Sequence, residues 1–403
     1  MSARVELGVS PCPNDTFAFH GLLTGRIDTR GLDLDLRLAD VEELNRSLLA
    51  GRLDVGKGSF HAALLAGDEL GVLPVGAALG FGNGPLLVAS RAWGATPPGP
   101  ECGVLAPGEH TTAALLYRLF HPEAAAPRHV VFSDVLPALE RGEADVGVCI
   151  HEGRFTYAER GLVLVEDLGE RWERATGMPL PLGGLFARRS LPVAVVRAVT
   201  EAIADSLEYA WAHPDEALDT MRRHATELAD DVLRAHVELY VNPWTRDLGP
   251  EGRAALGELA RRARSAGIVP TAGGTPLAVV GTPRIFHMAP AAEWERGRGA
   301  PWRPPSLEAE GFVHLSLTHQ LADSRALHLA DAGDLTLVEV DPGTAGDALR
   351  LEPSRRGALF PHLHRELRPA DVLAEWTLAR DAPLPRLGRD AADDAPGGSR
   401  PHS

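Results

Sequence analysis

The sequence predicts an α/β protein built as two similar lobes, followed by a separate small α+β domain. Three observations carry this. Over the first ~275 residues, short apolar strand patterns alternate with amphipathic helix patterns. Two stretches about 90 residues apart echo each other: Leu48-Leu49-Ala50-Gly51-Arg52-Leu53-Asp54-Val55-Gly56 and Leu139-Glu140-Arg141-Gly142-Glu143-Ala144-Asp145-Val146-Gly147. Each reads as a helix end, a glycine cap, then Asp-Val-Gly opening a strand. Finally, residues 267–276 (GIVPTAGGTP) carry a Gly/Pro/Thr linker signal, and the composition changes beyond them.

Taken in order, residues 4–10 (RVELGVS) form an apolar strand that ends in the turn-rich run Pro11-Cys12-Pro13-Asn14-Asp15, with a helix over 16–24. Residues 32–38 alternate as a strand, 41–51 form an amphipathic helix closed by glycine, and 53–56 open a third strand. This alternation predicts a largely parallel sheet. Strands follow at 102–105 and 146–150. Helical patterns at 193–225, 227–241 and 249–266 are suited to packing, the last with Pro250 in its first turn. The resulting division is lobe 1 at about 1–88 plus 187–272, lobe 2 at about 89–186, a linker at 273–282, a small domain at 283–380 and a disordered tail at 381–403. The bland reading of the echo is that helix-Gly-Asp-strand is a common connection.

Composition narrows the function. The chain has 403 residues, 44% hydrophobic and 24% charged, which suits a globular protein of two or three domains. A net charge of -15 speaks against nucleic-acid and anionic-membrane partners. No apolar run approaches the ~20 residues of a membrane helix, and residues 1–10 lack the pattern of a secretory leader. The expectation is a soluble cytoplasmic protein. Cys12, Cys102 and Cys149 are widely spaced, against a disulfide framework or a zinc site. Lys57 is the single lysine among 40 basic residues. It sits in Gly56-Lys57-Gly58-Ser59, where a guanidinium would crowd its neighbours; chance survival is the alternative.

Both echoes end in polar residues, Lys57 and Ser59 after the first and His151 after the second. In open α/β sheets ligands bind beyond the carboxyl ends of strands, so both clusters can face one cleft. His151 follows a strand apolar throughout, where a neutral imidazole can accept a proton. The alternative is a helix N-terminal histidine without a special role, with Glu152 complementing the helix dipole. In Pro107-Gly108-Glu109-His110-Thr111-Thr112, a strand turns into a helix headed by two threonines, a cradle for carboxylate or phosphate or else an ordinary threonine cap. No nucleotide P-loop or dinucleotide glycine motif is present. Asn14 and Asp15 either line the same cleft or simply make a good turn. Cys12 and Cys149 read as small packing residues.

Ser10-Pro11-Cys12-Pro13-Asn14-Asp15-Thr16-Phe17, Lys57-Gly58-Ser59, Gly108-Glu109-His110-Thr111-Thr112 and Ile150-His151-Glu152-Gly153-Arg154-Phe155-Thr156-Tyr157 resemble the 1,4-dihydroxy-6-naphthoate synthases of the futalosine route to menaquinone. The resemblance covers about residues 4–272 and includes Leu239-Tyr240-Val241-Asn242. It implies a two-lobed fold like the type II periplasmic binding proteins, and cleavage of cyclic dehypoxanthine futalosine, a small-molecule carboxylate, to 1,4-dihydroxy-6-naphthoate. It implies no metal or organic cofactor. Its proton acceptor carries over onto His151, and its substrate-binding segments onto Lys57, Gly58, Ser59, Thr111 and Thr112. The rival readings are chorismate dehydratase, which the His-Glu-Gly-Arg-Phe-Thr-Tyr run disfavours, and a solute-binding module without chemistry.

Residues 283–380 resemble a small bacterial domain family of unknown function. His287, His314, Ser316 and Glu352 either line a pocket there or are structural polar residues. His362 and His364, two apart, would share one face of a strand, a weak metal hint on its own.

Overall fold

A computed structural model describes residues 3–384 apart from 152, 226–228, 271–276, 282–283, 330–331, 355–358 and 381. Glu152, residues 273–276 and 282 of the expected linker, and the expected disordered tail from 385 onward lie outside the described residues. The chain divides into two compact units, Met1–Gly281 and Thr282–Ser403.

The strands of the first unit are β1 (Ala3–Val9), β2 (Leu32–Leu38), β3 (Val55–Ser59), β4 (Leu70–Val72), β5 (Ala78–Gly80), β6 (Leu86–Ala89), β7 (Val104–Pro107), β8 (Arg128–Val130), β9 (Val146–Cys149), β10 (Val163–Asp167) and β11 (Leu180–Arg188). They form two sheets, one per lobe. The first runs β2-β1-β3-β11-β4 with β5 also on β11, and the second runs β10-β6-β9-β7-β8. The sheets are mixed rather than largely parallel, which corrects the sequence expectation. β1 pairs in parallel with β2 and β3, and β7 with β8 and β9. The strands around the passage between lobes run antiparallel: β11 to β3, β4 and β5, and β6 to β9 and β10. Parallel neighbours need a crossover helix between them, and strands that arrive from the other lobe have none.

The internal echo has a structural basis. Gly51 and Gly142 both take left-handed backbone, at φ 76° and 72°, which only glycine adopts without cost. The two aspartates that follow do equivalent work. Asp54 accepts from the Glu6 backbone N–H at 2.9 Å, and Asp145 from that of Gly103 at 2.8 Å. Asp54 fastens the approach to β3 to the middle of β1, and Asp145 fastens the approach to β9 to the residue before β7.

Val5, Leu7 and Val9 of β1 are fully buried against Val199, Ile203 and Leu207 of the helix Val193–Ala212 and Leu233 of the helix Asp230–Tyr240. A second core joins the lobes, with Leu44, Leu48 and Phe60 in one cluster with Leu115, Val146 and Trp172. Two helix expectations change. The pattern over 193–225 divides into Val193–Ala212 and Pro214–His224, because Pro214 has no N–H to continue a helix. The helix expected at 16–24 starts earlier, as Pro13–Ala18 with proline in its first turn, followed by the short helix His20–Leu23. Asn14 and Asp15 are therefore helical. The described part of the expected linker, 277–281, packs on the first unit: the Val72 N–H donates to the Ala278 carbonyl and the Val280 N–H to the Val72 carbonyl, both at 2.9 Å.

The second unit has seven strands among its described residues: β12 (Ile285–Pro290), β13 (Val313–His314), β14 (Ser316–Leu317), β15 (Leu335–Val340), β16 (Leu349–Pro353), β17 (Leu359–Leu363) and β18 (Val372–Leu378). They form a four-stranded sheet β14-β12-β15-β18 and a three-stranded sheet β13-β17-β16, with short helices such as Ala291–Gly297 and Leu321–His328. Among the described residues no helix is long and apolar enough to cross a membrane.

Gly84 and Gly169 touch backbone to backbone where the lobes join. A Cβ on Gly84 would lie 2.3 Å from the Gly169 Cα. Gly84→Ala is expected to cost about 1–3 kcal/mol, the usual range for overpacking a close contact, read as a lower midpoint in urea unfolding.

Candidate active site

All eight residues singled out from the sequence line one cleft in the first unit: Asn14, Asp15, Lys57, Gly58, Ser59, Thr111, Thr112 and His151. Its volume is about 720 Å³ when the space open to solvent is included. Strand ends and helix starts of both lobes contribute.

Lys57 is buried, and its ammonium is already engaged. Nζ lies 2.8 Å from Asp15 Oδ1 and donates at 2.8 Å to the carbonyl of Gly76. Asp15 accepts further from Ser10 Oγ at 2.6 Å and from Asn14 Nδ2 at 2.8 Å. The lysine charge is thus balanced by a carboxylate before any ligand arrives. Gly58 matters for what it leaves out. A Cβ there would stand 2.9 Å from both Asn45 Oδ1 and Leu48. In that space Asn45 accepts from the Ser59 N–H at 2.8 Å and donates to Ser59 Oγ at 3.3 Å. The hydroxyl hydrogen of Ser59 remains for the cleft.

Across the cleft Thr111 caps the nine-residue helix Thr112–Phe120, its Oγ1 accepting from the Ala114 N–H. Thr112 donates to the carbonyl of Leu182 at 2.5 Å, so its hydroxyl is spent on holding the helix start against β11. Thr111, Thr112 and Ala113 line the cleft. The N–H groups of a helix's first turn lack partners within the helix, and the helix dipole adds positive potential there. His61 supports the turn from behind, with Nδ1 3.2 Å from the Thr111 carbonyl. Burial pushes its pKa down to about 4, so it is a neutral prop. His110 Nδ1 lies 2.8 Å from Glu42, which also accepts the His110 backbone N–H at 3.1 Å. This clasp joins the first helix turn after β2 to the loop after β7.

His151 follows β9 with left-handed backbone, φ 55°. Its ring meets Phe132 edge-on at 5.1 Å and lies nearly parallel to His236 at 6.3 Å. Cys12 Sγ sits 3.8 Å from Nδ1, so Cys12 is a neighbour of the candidate base as well as a packing residue. The residues after His151 serve its support. Gly153 packs so tightly on Cys149 that a Cβ would meet Sγ at 2.4 Å. Arg154 donates to the Gly84 carbonyl and pairs with Asp167 at 3.1 Å.

Three cleft-side residues are not among the site residues expected from the sequence. Ser10 and Tyr240 line the cleft. His236 lies just behind it, 1% exposed, donating from Nε2 to Asn14 Oδ1 at 3.0 Å. That direction is set by Asn14, whose amide donates to Asp15. Burial first, and then the nearby His151, pushes the His236 pKa down to about 3. The available signal was the helix period: Leu233, His236 and Tyr240 are the buried face of Asp230–Tyr240.

A family model described as menaquinone biosynthesis matches residues 5–265. The chain belongs to the menaquinone biosynthesis family. A curated relative from Thermus thermophilus named 1,4-dihydroxy-6-naphtoate synthase is 46% identical over 264 residues, 66% of this chain and 95% of the relative. A Streptomyces coelicolor relative of the same name is 39% identical, covering 69% of this chain and 99% of the relative. The crystal structure of protein AF1704 from Archaeoglobus fulgidus matches with TM-score 0.62 and 31% identity, over 66% of this chain and 98% of that one. The ligand-binding component of an ABC-type import system from Staphylococcus aureus matches with TM-score 0.51 and 12% identity, over 68% and 94%; this likeness concerns fold alone. The two-lobed unit of this family member is periplasmic-binding-protein-like. A second family model, a protein of unknown function (DUF952), matches residues 288–375.

Two predictions follow from this geometry. Asp15→Ala leaves the Lys57 ammonium buried without its carboxylate, and breaking such a pair costs about 3–5 kcal/mol; denaturant unfolding reads the loss. The second concerns pH. His61 and His236 are neutral in the fold, with pKa values near 4 and 3, whereas an unfolded histidine titrates near ~6.5. Below that pH the unfolded chain binds more protons, so stability falls as pH drops from about 6.5 towards 4. Urea midpoints across this range are expected to fall less steeply in the His61→Gln/His236→Gln double variant.

Proposed function

We propose that the first unit is a 1,4-dihydroxy-6-naphthoate synthase, a carbon–carbon lyase that converts cyclic dehypoxanthine futalosine to 1,4-dihydroxy-6-naphthoate in menaquinone biosynthesis. The observation that carries the reading is the convergence, in a member of this family, of His151 with the Lys57–Ser59 strand end and the Thr111–Thr112 helix start on one cleft. In this reading the chain is a cytoplasmic enzyme whose partner is a small carboxylate.

The site divides the work in two. The N–H groups at the start of the helix Thr112–Phe120 and the Ser59 hydroxyl hold the substrate carboxylate. Lys57 adds positive potential, tempered by Asp15. Aromatic substrate surface meets apolar lining from Val41, Ile150 and Leu182. His151, on the opposing lobe's strand end, takes the proton whose removal starts carbon–carbon cleavage; the sugar-derived fragment leaves, and formation of the aromatic ring draws the reaction forward. Closure of the lobes around the substrate excludes water and fixes the distance from base to proton.

One positioned base contributes roughly 10²–10⁴-fold in rate. His151→Gln in the full-length protein is therefore expected to lose that factor in kcat with KM little changed. Thr111→Val should instead raise KM by weakening the helix cap. Product formed from cyclic dehypoxanthine futalosine is followed by absorbance and mass. A folded wild type that makes no product, or a His151→Gln protein with near-normal turnover, would sink the reading.

A further inference from the structure

The second unit holds a cleft of its own, about 1480 Å³ when the space open to solvent is included. It is lined from both sheets, by His287 on β12, Ser316 on β14, His314 on β13 and His362 on β17. Three of the four residues singled out in this domain thus line a pocket. The fourth, Glu352, stands behind His362 and orients it.

Glu352 Oε2 lies 2.8 Å from His362 Nδ1 and 3.0 Å from His364 Nε2. This is the job of the His-x-His pair: both rings serve one carboxylate. Among the described residues no group of three or more His, Cys, Asp or Glu side chains is arranged to hold a metal ion. The carboxylate can only accept, so His362 Nδ1 carries the proton and Nε2 presents a lone pair. Phe312 stacks on the ring at 3.9 Å and 17°, which fixes the plane. His362 is 5% exposed, and its Nε2 is buried with no hydrogen-bond partner. A buried acceptor left unsatisfied is costly, and a ligand that donates to it removes the cost.

His287 differs from His362, because both its nitrogens are used. Nδ1 donates to the His314 carbonyl at 2.9 Å, and Nε2 accepts from the Trp302 indole N–H at 2.8 Å. It thereby sets the Trp302 ring at the cleft wall. Phe360 supplies another aromatic face, and Ser306, Ser316 and Ser324 supply hydroxyls. Among the described residues that line it, the fixed charges are the carboxylates of Glu293 and Glu310. His314, the remaining titratable group there, faces Glu310 at 3.1 Å.

We propose that this cleft is a binding site for an uncharged nucleoside. The aromatic walls suit a planar heterocycle, since stacking on an aromatic side chain needs only a π-face. The row of serines suits sugar hydroxyls. His362 Nε2 accepts a ring N–H, amino or hydroxyl hydrogen. The carboxylates of Glu293 and Glu310 disfavour phosphate and carboxylate groups.

Isothermal titration of the full-length chain with adenosine, and separately with AMP, tests this. Saturable adenosine binding is expected, with AMP at least tenfold weaker. His362→Phe keeps a flat ring against Phe312 and removes the acceptor, and Glu352→Gln releases its orientation. Each is expected to weaken adenosine at least tenfold, with the circular dichroism spectrum retained. Absence of adenosine binding at millimolar concentration overturns the proposal, as does AMP binding as tightly as adenosine. Binding that is undiminished in both variants also overturns it, by placing the nucleoside elsewhere on the chain. If His362→Phe fails to fold, Glu352→Gln and the adenosine–AMP comparison on the wild type still decide.

Discussion

The buried ion pair between Lys57 and Asp15 organises the first unit. Two ions taken out of water lose hydration that their mutual attraction repays only when geometry and further hydrogen bonds are good. Here the repayment recruits several segments: the end of β1 through Ser10, the first turn of Pro13–Ala18 through Asn14 and Asp15, and the Gly76 carbonyl. Asn14 extends the network to His236, on a helix more than 200 residues later, and His236 lies parallel to the His151 ring. Lysine suits this position and arginine does not. A compact ammonium between Gly56 and Gly58 can meet one carboxylate oxygen and one carbonyl, whereas a planar fork is built for two parallel bonds.

The two lobes are held in register by contacts that use up polar groups near the cleft. Glu42 clasps His110, and Thr112 reaches the Leu182 carbonyl. The shared core of Leu44, Phe60, Leu115 and Trp172 closes the region behind them. Of the residues expected to hold substrate, Thr112 and Lys57 therefore act largely as framework. The helix-start N–H groups and the Ser59 hydroxyl are the more available donors. Preorganised donors of this kind need little rearrangement when charge develops.

Much of this was legible because the signals were local. The echo around Gly51 and Gly142 placed Lys57 and His151 at corresponding strand ends, and the structure puts both on one cleft. A Gly-Asp pair of this kind encodes its own turn and its own anchor, so pattern alone finds it. The direction of the strands at the lobe crossing was not legible, because β11 gains its orientation from where the chain returns rather than from its own residues. His236 was passed over for a similar reason. Its place on the buried face of its helix was readable, but its partner Asn14 lies at the other end of the unit's sequence. Cys12 was read as packing, and its approach to His151 depends on the later return of β9 and is invisible in the run Pro11-Cys12-Pro13. In the second unit the histidines stood out as residue types, while the carboxylate that links His362 and His364 became visible only through the register of β16 against β17.

The two clefts differ in how their fixed charges are arranged, and that difference bears on what each can hold. In the first, the one lysine is neutralised by Asp15, so net attraction for an anion rests on the partial charges of a helix start. Such a field is short-ranged and directional, and it favours a carboxylate seated at the helix axis over an anion elsewhere in the cleft. In the second, the carboxylates of Glu293 and Glu310 stand at the lining, and His362 Nε2 is a buried acceptor without a hydrogen-bond partner. An anionic ligand suited to the first site meets repulsion in the second, and a neutral hydrogen donor suited to the second finds no special field in the first. Joined in one chain, the two units thus present clefts whose described linings differ in charge.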